Sequence, residues 1–233
     1  GRWLDYWKEE RLAWYRRYAN HPESFRLRRH SRAELAHYAE DCYDVEYLYP
    51  WGWDELEGIA SRTDYDLKKH SEASGVRLTY FDPNRVNPET GKPGMHYYPY
   101  VVEPAAGASR STLVYLLDAY HEETVKDAKG RDALRVVMRF HPRLAPIKAA
   151  FFPLVNRVSM PDIAYAMYRD AKRYWNVFYD DRGAIGRRYR RQDEAGTPFC
   201  ITVDGQTLSD GTVTIRDRDT LAQIRVHRDR VID

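Results

Sequence analysis

Residues 97–120 constrain the fold more than any other part of this sequence. An extended stretch that ends at Glu103 predicts a short strand, and the small residues around Gly107 predict a turn after it. Ser109 is the expected N-cap of the next helix, whose predicted inner face consists of Leu113, Leu116, Leu117 and Tyr120. Arg110 would lie in the first turn, where a cation opposes the helix dipole. This position is favourable if an anionic or π-rich ligand binds opposite it, and otherwise Arg110 is an ordinary solvated arginine.

Composition indicates a water-soluble chain with a real core. Its 233 residues suffice for one large domain or two smaller ones, and 43% of them are hydrophobic. The mean hydropathy is −0.74, and no apolar run approaches the roughly 18 residues that span a bilayer. Cys42 and Cys200 are distant and predict reduced thiols in a cytoplasmic protein. The chain begins at Gly1 without an initiator Met, as a chain cut from something longer would.

The first half of the sequence predicts a helix, a short sheet and a long loop. An aromatic stripe at helical spacing predicts a helix over residues 2–19. The further predictions are a short helix at 32–42, strands at 45–49 and 55–60, a helix at 66–74, an extended segment at 77–81 and a loop at 82–94.

The second half alternates between strands and helices, after a polar segment at 126–132 that predicts a domain boundary. Strands are expected at 136–140, 149–155, 198–203 and 212–215. A capping box from Ser159 to Asp162 predicts a helix whose buried face carries Ile163, Met167, Ala171, Tyr174 and Phe178. A second, basic helix is expected at 184–194. The predicted domains are therefore 1–130 and 131–233, the second of them a small α/β domain.

Three glutamates could form a charged cleft with Arg110. Glu55 and Glu57 stand two apart on a predicted strand, so both side chains should leave the same face. Glu103 would face the same cleft in an antiparallel sheet. Such a cleft suits a small zwitterion with a phosphate ester, since carboxylates can take an ammonium group and Mg²⁺ while an arginine takes a nucleotide.

Two other interpretations of these glutamates stay open. With Trp51 and Trp53 beside Glu55 and Glu57, a sugar-cleaving site is conceivable, although two carboxylates on one strand do not lie across a cleft. Both glutamates could also be exposed residues on a strand edge. The eight histidines show no metal-ligand spacing, and neither a serine-hydrolase elbow nor a Walker loop occurs. No metal site built from protein ligands alone is therefore expected.

Arginines cluster in the second half. Arg190 and Arg191 can pair with Glu194, which would neutralise part of this charge. The arginines that could still contact the phosphates of a nucleic acid are Arg187, Arg188, Arg190, Arg191, Arg216 and Arg218.

Several long blocks of this sequence are similar to the homodimeric type of glycyl-tRNA synthetase. They include Trp-Gly-Trp-Asp-Glu-Leu-Glu-Gly-Ile-Ala at 51–60 and Val-Glu-Pro-Ala-Ala-Gly-Ala-Ser-Arg at 102–110. Further blocks lie at 141–148, 185–200 and 212–220, in the same order along the chain. The resemblance covers nearly all of the sequence.

The resemblance implies a class II synthetase: an α+β catalytic remnant with an antiparallel sheet, followed by an α/β anticodon-binding domain. The implied reaction is the ATP-dependent activation of glycine and its transfer to tRNA-Gly, with ATP and Mg²⁺ as cofactors. The implied protein is a cytoplasmic homodimer with no membrane association. Arg110 would be the catalytic residue that packs against ATP. The implied ATP-binding residues are Glu55, Leu56, Gly107, Ala108, Ser109 and Arg110. The implied glycine-binding residues are Glu103, Pro104, Ala105, Ala106 and Gly107, to which Glu57 is added on chemical grounds.

The sequence also departs from the family. The first two class motifs would lie upstream of Gly1, so we expect a C-terminal portion that does not activate glycine alone. Ala105 stands where the family usually has serine, and Ser109 where aspartate or glycine is usual. These departures leave an alternative, a non-catalytic RNA-binding module derived from a synthetase.

Overall fold

The structure, a computed structural model, describes residues 2–126 and 130–232. It contains two compact units, Gly1–Arg17 with His21–Val114 and Tyr18–Asn20 with Tyr115–Asp233. This division falls earlier in the chain than the predicted boundary between residues 130 and 131, because residues 120–126 pair with residues 132–138 as one hairpin. The predicted boundary segment includes residues 127–129, which lie outside the described residues.

The first unit is built around an antiparallel sheet. Its elements are helix α1 (Arg2–Tyr18), strands β1 (Phe25–Arg29), β2 (Asp41–Tyr49) and β3 (Gly52–Thr63), helix α2 (Tyr65–Ser74), strands β4 (Tyr80–Val86), β5 (Pro93–Tyr97) and β6 (Val101–Ala106), and the first part of helix α3 (Ala108–Ala119). Strands β1, β2, β3 and β6 form one four-stranded sheet in that order, and every neighbouring pair is antiparallel. Strands β4 and β5 form a separate hairpin.

Most predicted elements of this unit are confirmed, and two predictions are wrong. The expected helix at 32–42 is a set of turns that leads into β2. Glu34 accepts hydrogen bonds from the Ser31 amide (2.8 Å) and hydroxyl (2.9 Å), which closes a single turn instead of starting a helix. The loop expected at 82–94 carries part of the β4–β5 hairpin. Strand β1 was not predicted.

Helix α3 has the expected position but not the expected inner face. It begins at Ala108, so Ser109 lies inside the helix and is not its N-cap. The buried residues are Val114, Tyr115, Asp118 and Ala119, whereas Leu113, Leu116 and Tyr120 are exposed. Asp118 turns inward because its carboxylate accepts a hydrogen bond from the Asn20 amide at 2.6 Å.

The second unit is a mixed α/β sheet with an additional hairpin. Its elements are strands β7 (Tyr120–Lys126), β8 (Asp132–Met138) and β9 (Ala149–Pro153), helix α4 (Met160–Ala171), strand β10 (Val177–Tyr179), helix α5 (Ile185–Ala195), strand β11 (Phe199–Val203), helix α6 (Thr207–Asp210), and strands β12 (Thr212–Asp217) and β13 (Gln223–His227). The sheet order is β10-β9-β11-β12-β13. Strands β10, β9 and β11 run parallel, and β12 and β13 are antiparallel to their neighbours.

Helices cover both faces of this sheet, which confirms the α/β expectation. Helix α4 packs against a core that includes Phe151, Ile201 and Val213, and helix α5 packs against Phe152 and Cys200. The predicted face of α4 is too long, since the helix ends at Ala171 and Phe178 belongs to β10. Strands β7, β10 and β13 and helix α6 were not predicted. No helix within residues 2–126 and 130–232 is long and apolar enough to cross a membrane.

Candidate functional site

The four-stranded sheet of the first unit has one apolar face and one charged face. Val45, Tyr47 and Ile59 are buried on the apolar face. Alternate positions of the strands place acidic and basic side chains together on the opposite side. We call this side the charged face, and its residues are Arg26, Arg28, Asp44, Glu46, Glu55 and Glu103.

A β-bulge separates the two glutamates of strand β3. Glu57 pairs with Val45 and Glu55 pairs with Glu46, so Leu56 is an extra residue that has no partner on β2. Glu55 is exposed, whereas Leu56 and Glu57 are 2% and 1% exposed. The prediction that Glu55 and Glu57 leave the same face is therefore wrong, because the bulge shifts the alternation by one residue.

Glu57 is bound by an arginine of helix α1. Arg11 donates from Nε to Glu57 Oε1 (2.7 Å) and from Nη2 to Glu57 Oε2 (2.9 Å). Burial beside this pair raises the pKa of Tyr15 to about 12. A buried carboxylate with both oxygens held by one guanidinium fixes the position of α1 on the sheet, and loss of either partner would leave a buried charge unpaired. This arrangement argues against the expected contact of Glu57 with glycine.

Arg110 and Glu55 meet at the edge of the charged face. Arg110 Nη1 donates to the backbone carbonyl oxygen of Glu55 at 2.8 Å, and both side chains are exposed. The hydrogen bonds that Asp54 accepts from the Glu55 amide (2.8 Å) and from Trp51 Nε1 (3.3 Å) lower the pKa of Asp54. The structure thus holds the Arg110 guanidinium beside Glu55, with the exposed residues Gly107, Ala108 and Ser109 at the start of α3.

Glu103 lies across the sheet on strand β6. It accepts a hydrogen bond from Arg62 Nη1 at 2.6 Å, and 45% of its side chain stays exposed. Arg62 also binds both oxygens of Asp66, and this hydrogen bonding lowers the pKa of Asp66. The position of Glu103 is therefore fixed by an arginine that is itself fixed by helix α2.

Small residues form the floor between Glu55 and Glu103. Gly58 pairs with Ala105, and Ala60 pairs with Glu103. A Cβ atom added to Gly58 would still be 3.8 Å from Glu55 Oε1 and 3.9 Å from Asp44 Oδ1. A methyl group above Gly58 would thus be in ordinary van der Waals contact with both carboxylates, and small residues line this part of the charged face.

Two acidic residues of the charged face were missed from the sequence. Asp44 and Glu46 are 5% and 7% exposed. Glu46 accepts from Arg26 Nε (2.7 Å), and Asp44 lies 2.6 Å from His30 Nε2. The signal was present in strand β2, where acidic residues alternate with Tyr43, Val45 and Tyr47. An acidic residue at every second position of an apolar strand indicates a polar face that is held together by partners.

Three of the arginines expected to bind tRNA are buried in the second unit. Arg188 donates to the carbonyl oxygens of Pro153 (2.6 Å) and Asp180 (3.1 Å). Arg216 binds both oxygens of the buried Asp193, at 2.8 and 3.0 Å. Arg218 donates to the carbonyl oxygens of Gly196 and Phe140, both at 2.8 Å. These bonds argue against phosphate contacts by Arg188 and Arg218, whereas Arg216 also lines the groove on helix α5 that is described next.

The other three arginines line a groove on helix α5. Arg187 and Arg191 are exposed and Arg190 is half-buried. Arg191 pairs with Asp180 at 2.5 Å, not with Glu194 as expected, and Arg190 donates to the Leu134 carbonyl oxygen at 2.6 Å. All three line a groove of about 700 Å³ that also contains Tyr189 and Lys126. Cations and an aromatic ring along one groove suit a phosphate backbone and its bases.

Part of the second unit is similar to a known domain family. Residues 150–233 match the family of the anticodon binding domain. These residues include most of the five-stranded sheet together with α4 and α5.

The whole chain is similar to glycine–tRNA ligases. It is 50% identical to the glycine–tRNA ligase of Nocardia farcinica over 232 residues, which are 98% of this chain and 48% of the relative. It is 47% identical to that of Rhodopirellula baltica (99% of this chain, 46% of the relative) and 44% identical to that of Treponema denticola (99% and 49%). The chain spans about half the length of these relatives. The resemblance noted from the sequence is thus confirmed.

Proposed function

We propose that this chain is part of a glycine–tRNA ligase and supplies one side of its adenylation site together with its anticodon-binding domain. The observation that carries the proposal is the charged face. It places Arg110 beside Glu55 at one end and Glu103 at the other, over a floor of small residues. The first unit would then be a class II catalytic remnant.

The Arg110 end of the charged face fits ATP. The Glu55 carbonyl oxygen holds the Arg110 guanidinium, which can then stack on a base or bind a phosphate with its remaining N–H groups. The start of helix α3 offers backbone N–H groups to an anion. Leu56 is buried, so its contact with ATP would use backbone atoms. The carboxylates of Glu55 and its cross-strand partner Glu46 are the oxygen donors that suit Mg²⁺ on a nucleotide.

The Glu103 end fits glycine. The carboxylate of Glu103 can bind the ammonium group, and Arg62 keeps that carboxylate in place. Pro104, Ala105 and Ala106 offer no hydroxyl, so the glycine site here would depend on charge and on backbone groups. In the proposed reaction the carboxylate of glycine attacks the α-phosphorus of ATP, and pyrophosphate leaves. A terminal hydroxyl of tRNA-Gly then attacks the activated carbonyl carbon and releases AMP.

The second unit would bind tRNA-Gly through the groove of helix α5. The test is the binding of this chain to tRNA-Gly, and to the same tRNA with an altered anticodon, at several salt concentrations. We expect anticodon-dependent binding that weakens with salt, and Arg187→Gln should reduce the slope of log affinity against log salt by about 1. Arg173→Gln, an exposed arginine of the same unit, is the control. Binding that ignores the anticodon would contradict the proposal.

The catalytic part of the proposal is tested in the longer protein that contains this chain. Arg110→Ala should abolish glycine-dependent exchange between ATP and pyrophosphate, whereas Arg77→Ala, which changes an exposed arginine, should leave it intact. Near-normal exchange in Arg110→Ala would refute the role of Arg110. tRNA binding without exchange in the unaltered longer protein would favour the RNA-binding module. The proposal also includes a homodimer. It includes a cytoplasmic location as well, where the thiols of Cys42 and Cys200 would stay reduced.

A further inference from the structure

Three ligand-type side chains converge at one end of the charged face. Strands β1 and β2 pair up to Arg29 and Tyr43, and the His30 amide then donates to the Cys42 carbonyl oxygen at 3.0 Å. This pairing brings His30 beside Cys42 and Asp44. One imidazole nitrogen, the Cys42 sulfur and one carboxylate oxygen lie within 4.8 Å of one another. Among the residues that the structure describes, this is the only group of three or more such ligands that is this close.

We propose that His30, Cys42 and Asp44 bind one transition-metal ion of the Zn²⁺ class. This inference goes beyond the ligase proposal and does not depend on it. A set of one nitrogen, one sulfur and one oxygen donor suits Zn²⁺, which often takes three protein ligands and one water. Mg²⁺ prefers oxygen donors alone, so a thiolate and an imidazole select against it.

The geometry needs only side-chain movement. In a tetrahedral zinc site the ligand atoms lie roughly 3.3–3.6 Å apart. His30 Nε2 and Asp44 Oδ2, now 2.6 Å apart, would separate slightly to admit the ion, and the Cys42 sulfur would move closer. The side chains of His30 and Asp44 are 21% and 7% exposed, so an ion can enter from the His30 side.

The surrounding charges favour a cation. The carboxyl groups of Asp44, Glu55 and Asp41 act electrostatically on the Cys42 thiol, and carboxyl groups around a site favour a bound cation. Arg28 is the competing cation, with Nη1 at 3.6 Å from Asp44 Oδ2. It has other partners in Glu34 and Glu46 and can therefore release Asp44.

Binding exchanges one proton for the ion. The Cys42 thiol loses its proton to solvent, and its thiolate forms the metal–sulfur bond. The Nε2–H of neutral His30, which donates to the Asp44 carboxylate, is released to solvent while Nδ1 takes up a proton, so that the Nε2 lone pair can bind the ion. Asp44 exchanges its hydrogen bond with His30 for a bond to the metal. No oxidant or reductant is needed.

The experiment uses Co²⁺ as a spectroscopic substitute for Zn²⁺. Co²⁺ is added to the reduced 233-residue chain, and the thiolate-to-cobalt charge-transfer absorption is measured. Zn²⁺ affinity is then measured by competition with a chromogenic chelator. We expect one equivalent of Co²⁺ to produce the absorption, Zn²⁺ to remove it, and excess Mg²⁺ to leave it unchanged.

Matched variants assign the ligands. Cys42→Ser should remove the absorption, and His30→Gln should weaken Zn²⁺ binding by roughly tenfold or more. Cys200→Ser, which alters the other thiol, and His21→Gln, which alters an exposed imidazole, should keep both properties. Circular dichroism checks whether each variant is folded. If Cys42→Ser is unfolded, His30→Gln provides the test. An absence of charge transfer in the unaltered chain would overturn the proposal, as would absorption that survives Cys42→Ser.

Discussion

Asp193 is the residue whose replacement should destabilise the second unit most clearly. It is 1% exposed and accepts hydrogen bonds from Arg135 Nε (2.9 Å) and from Arg216 Nη1 and Nη2 (2.8 and 3.0 Å). Asp193→Asn keeps the shape but leaves two buried guanidinium groups without this carboxylate. Breaking a buried pair in this way costs about 3–5 kcal/mol. For a unit of this size, such a loss lowers the melting temperature by roughly 10–20 °C.

Hydrogen exchange can measure this loss inside the second unit. The amides of β11 should exchange on the order of 10²–10³ times faster in Asp193→Asn, since about 1.4 kcal/mol corresponds to a factor of ten. Glu194→Gln is the matched control, because it removes the same charge from the next residue, which is exposed. If the two variants show the same β11 exchange, Asp193 does not stabilise the unit as described.

Three further predictions concern stability. Arg11→Met leaves the carboxylate of Glu57 buried without its arginine partner and should lower the free energy of unfolding by about 3–5 kcal/mol in denaturant titrations. The control is Arg17→Met, which changes an exposed arginine of the same helix and should alter that free energy by less than about 0.5 kcal/mol. Gly196→Ala should lower the free energy of unfolding by about 2–4 kcal/mol, because φ is +80° and the new Cβ would lie 2.4 Å from Phe140 Cδ2. Gly183 has a similar φ of +78° but open space around it, so Gly183→Ala should lower the free energy of unfolding by only about 1 kcal/mol. Equal losses of stability in the two variants would contradict the steric explanation. Asp210 accepts hydrogen bonds from the Thr212 hydroxyl, from Gln206 and from the Thr212 amide, and these bonds lower the pKa of Asp210 from 3.8 to about 2. The ionised Asp210 therefore contributes its full stabilisation above pH 3.8, and this stabilisation is lost as the pH falls through about 2. An NMR titration should show this midpoint and a higher one in Thr212→Val, and an unchanged midpoint would refute the assignment.

The sequence predicted elements better than the directions of their side chains. Helices α1, α2, α4 and α5 and most strands of both sheets follow from periodicity and turn residues. The inner face of α3 did not, because the hydrogen bond between Asn20 and Asp118 turns a polar residue inward and leaves Leu113 and Leu116 outside. Residues far apart in sequence set that contact, so no local pattern reveals it.

The same limit applies to the candidate sites. The local pattern singles out Arg110, Glu55 and Glu103, and the resemblance assigns their roles. The structure adds Asp44 and Glu46 on the same face. The metal ligands His30, Cys42 and Asp44 have no recognisable spacing, since strand pairing alone brings them together. Charge counting also treated Arg188, Arg216 and Arg218 as surface residues, although carbonyl oxygens and Asp193 hold them inside.

The bulge at Leu56 takes up one residue of strand β3 without changing the direction of the side chains that follow it. Glu55 and Glu57 pair with the adjacent residues Glu46 and Val45, so the two parts of β3 already have the alternation of a regular ladder. Deletion of Leu56 would therefore close the ladder and leave Ile59 on the core face and Gly58 on the charged face. The cost of that deletion should come from the lost burial of the Leu56 side chain and not from a reversal of side-chain direction.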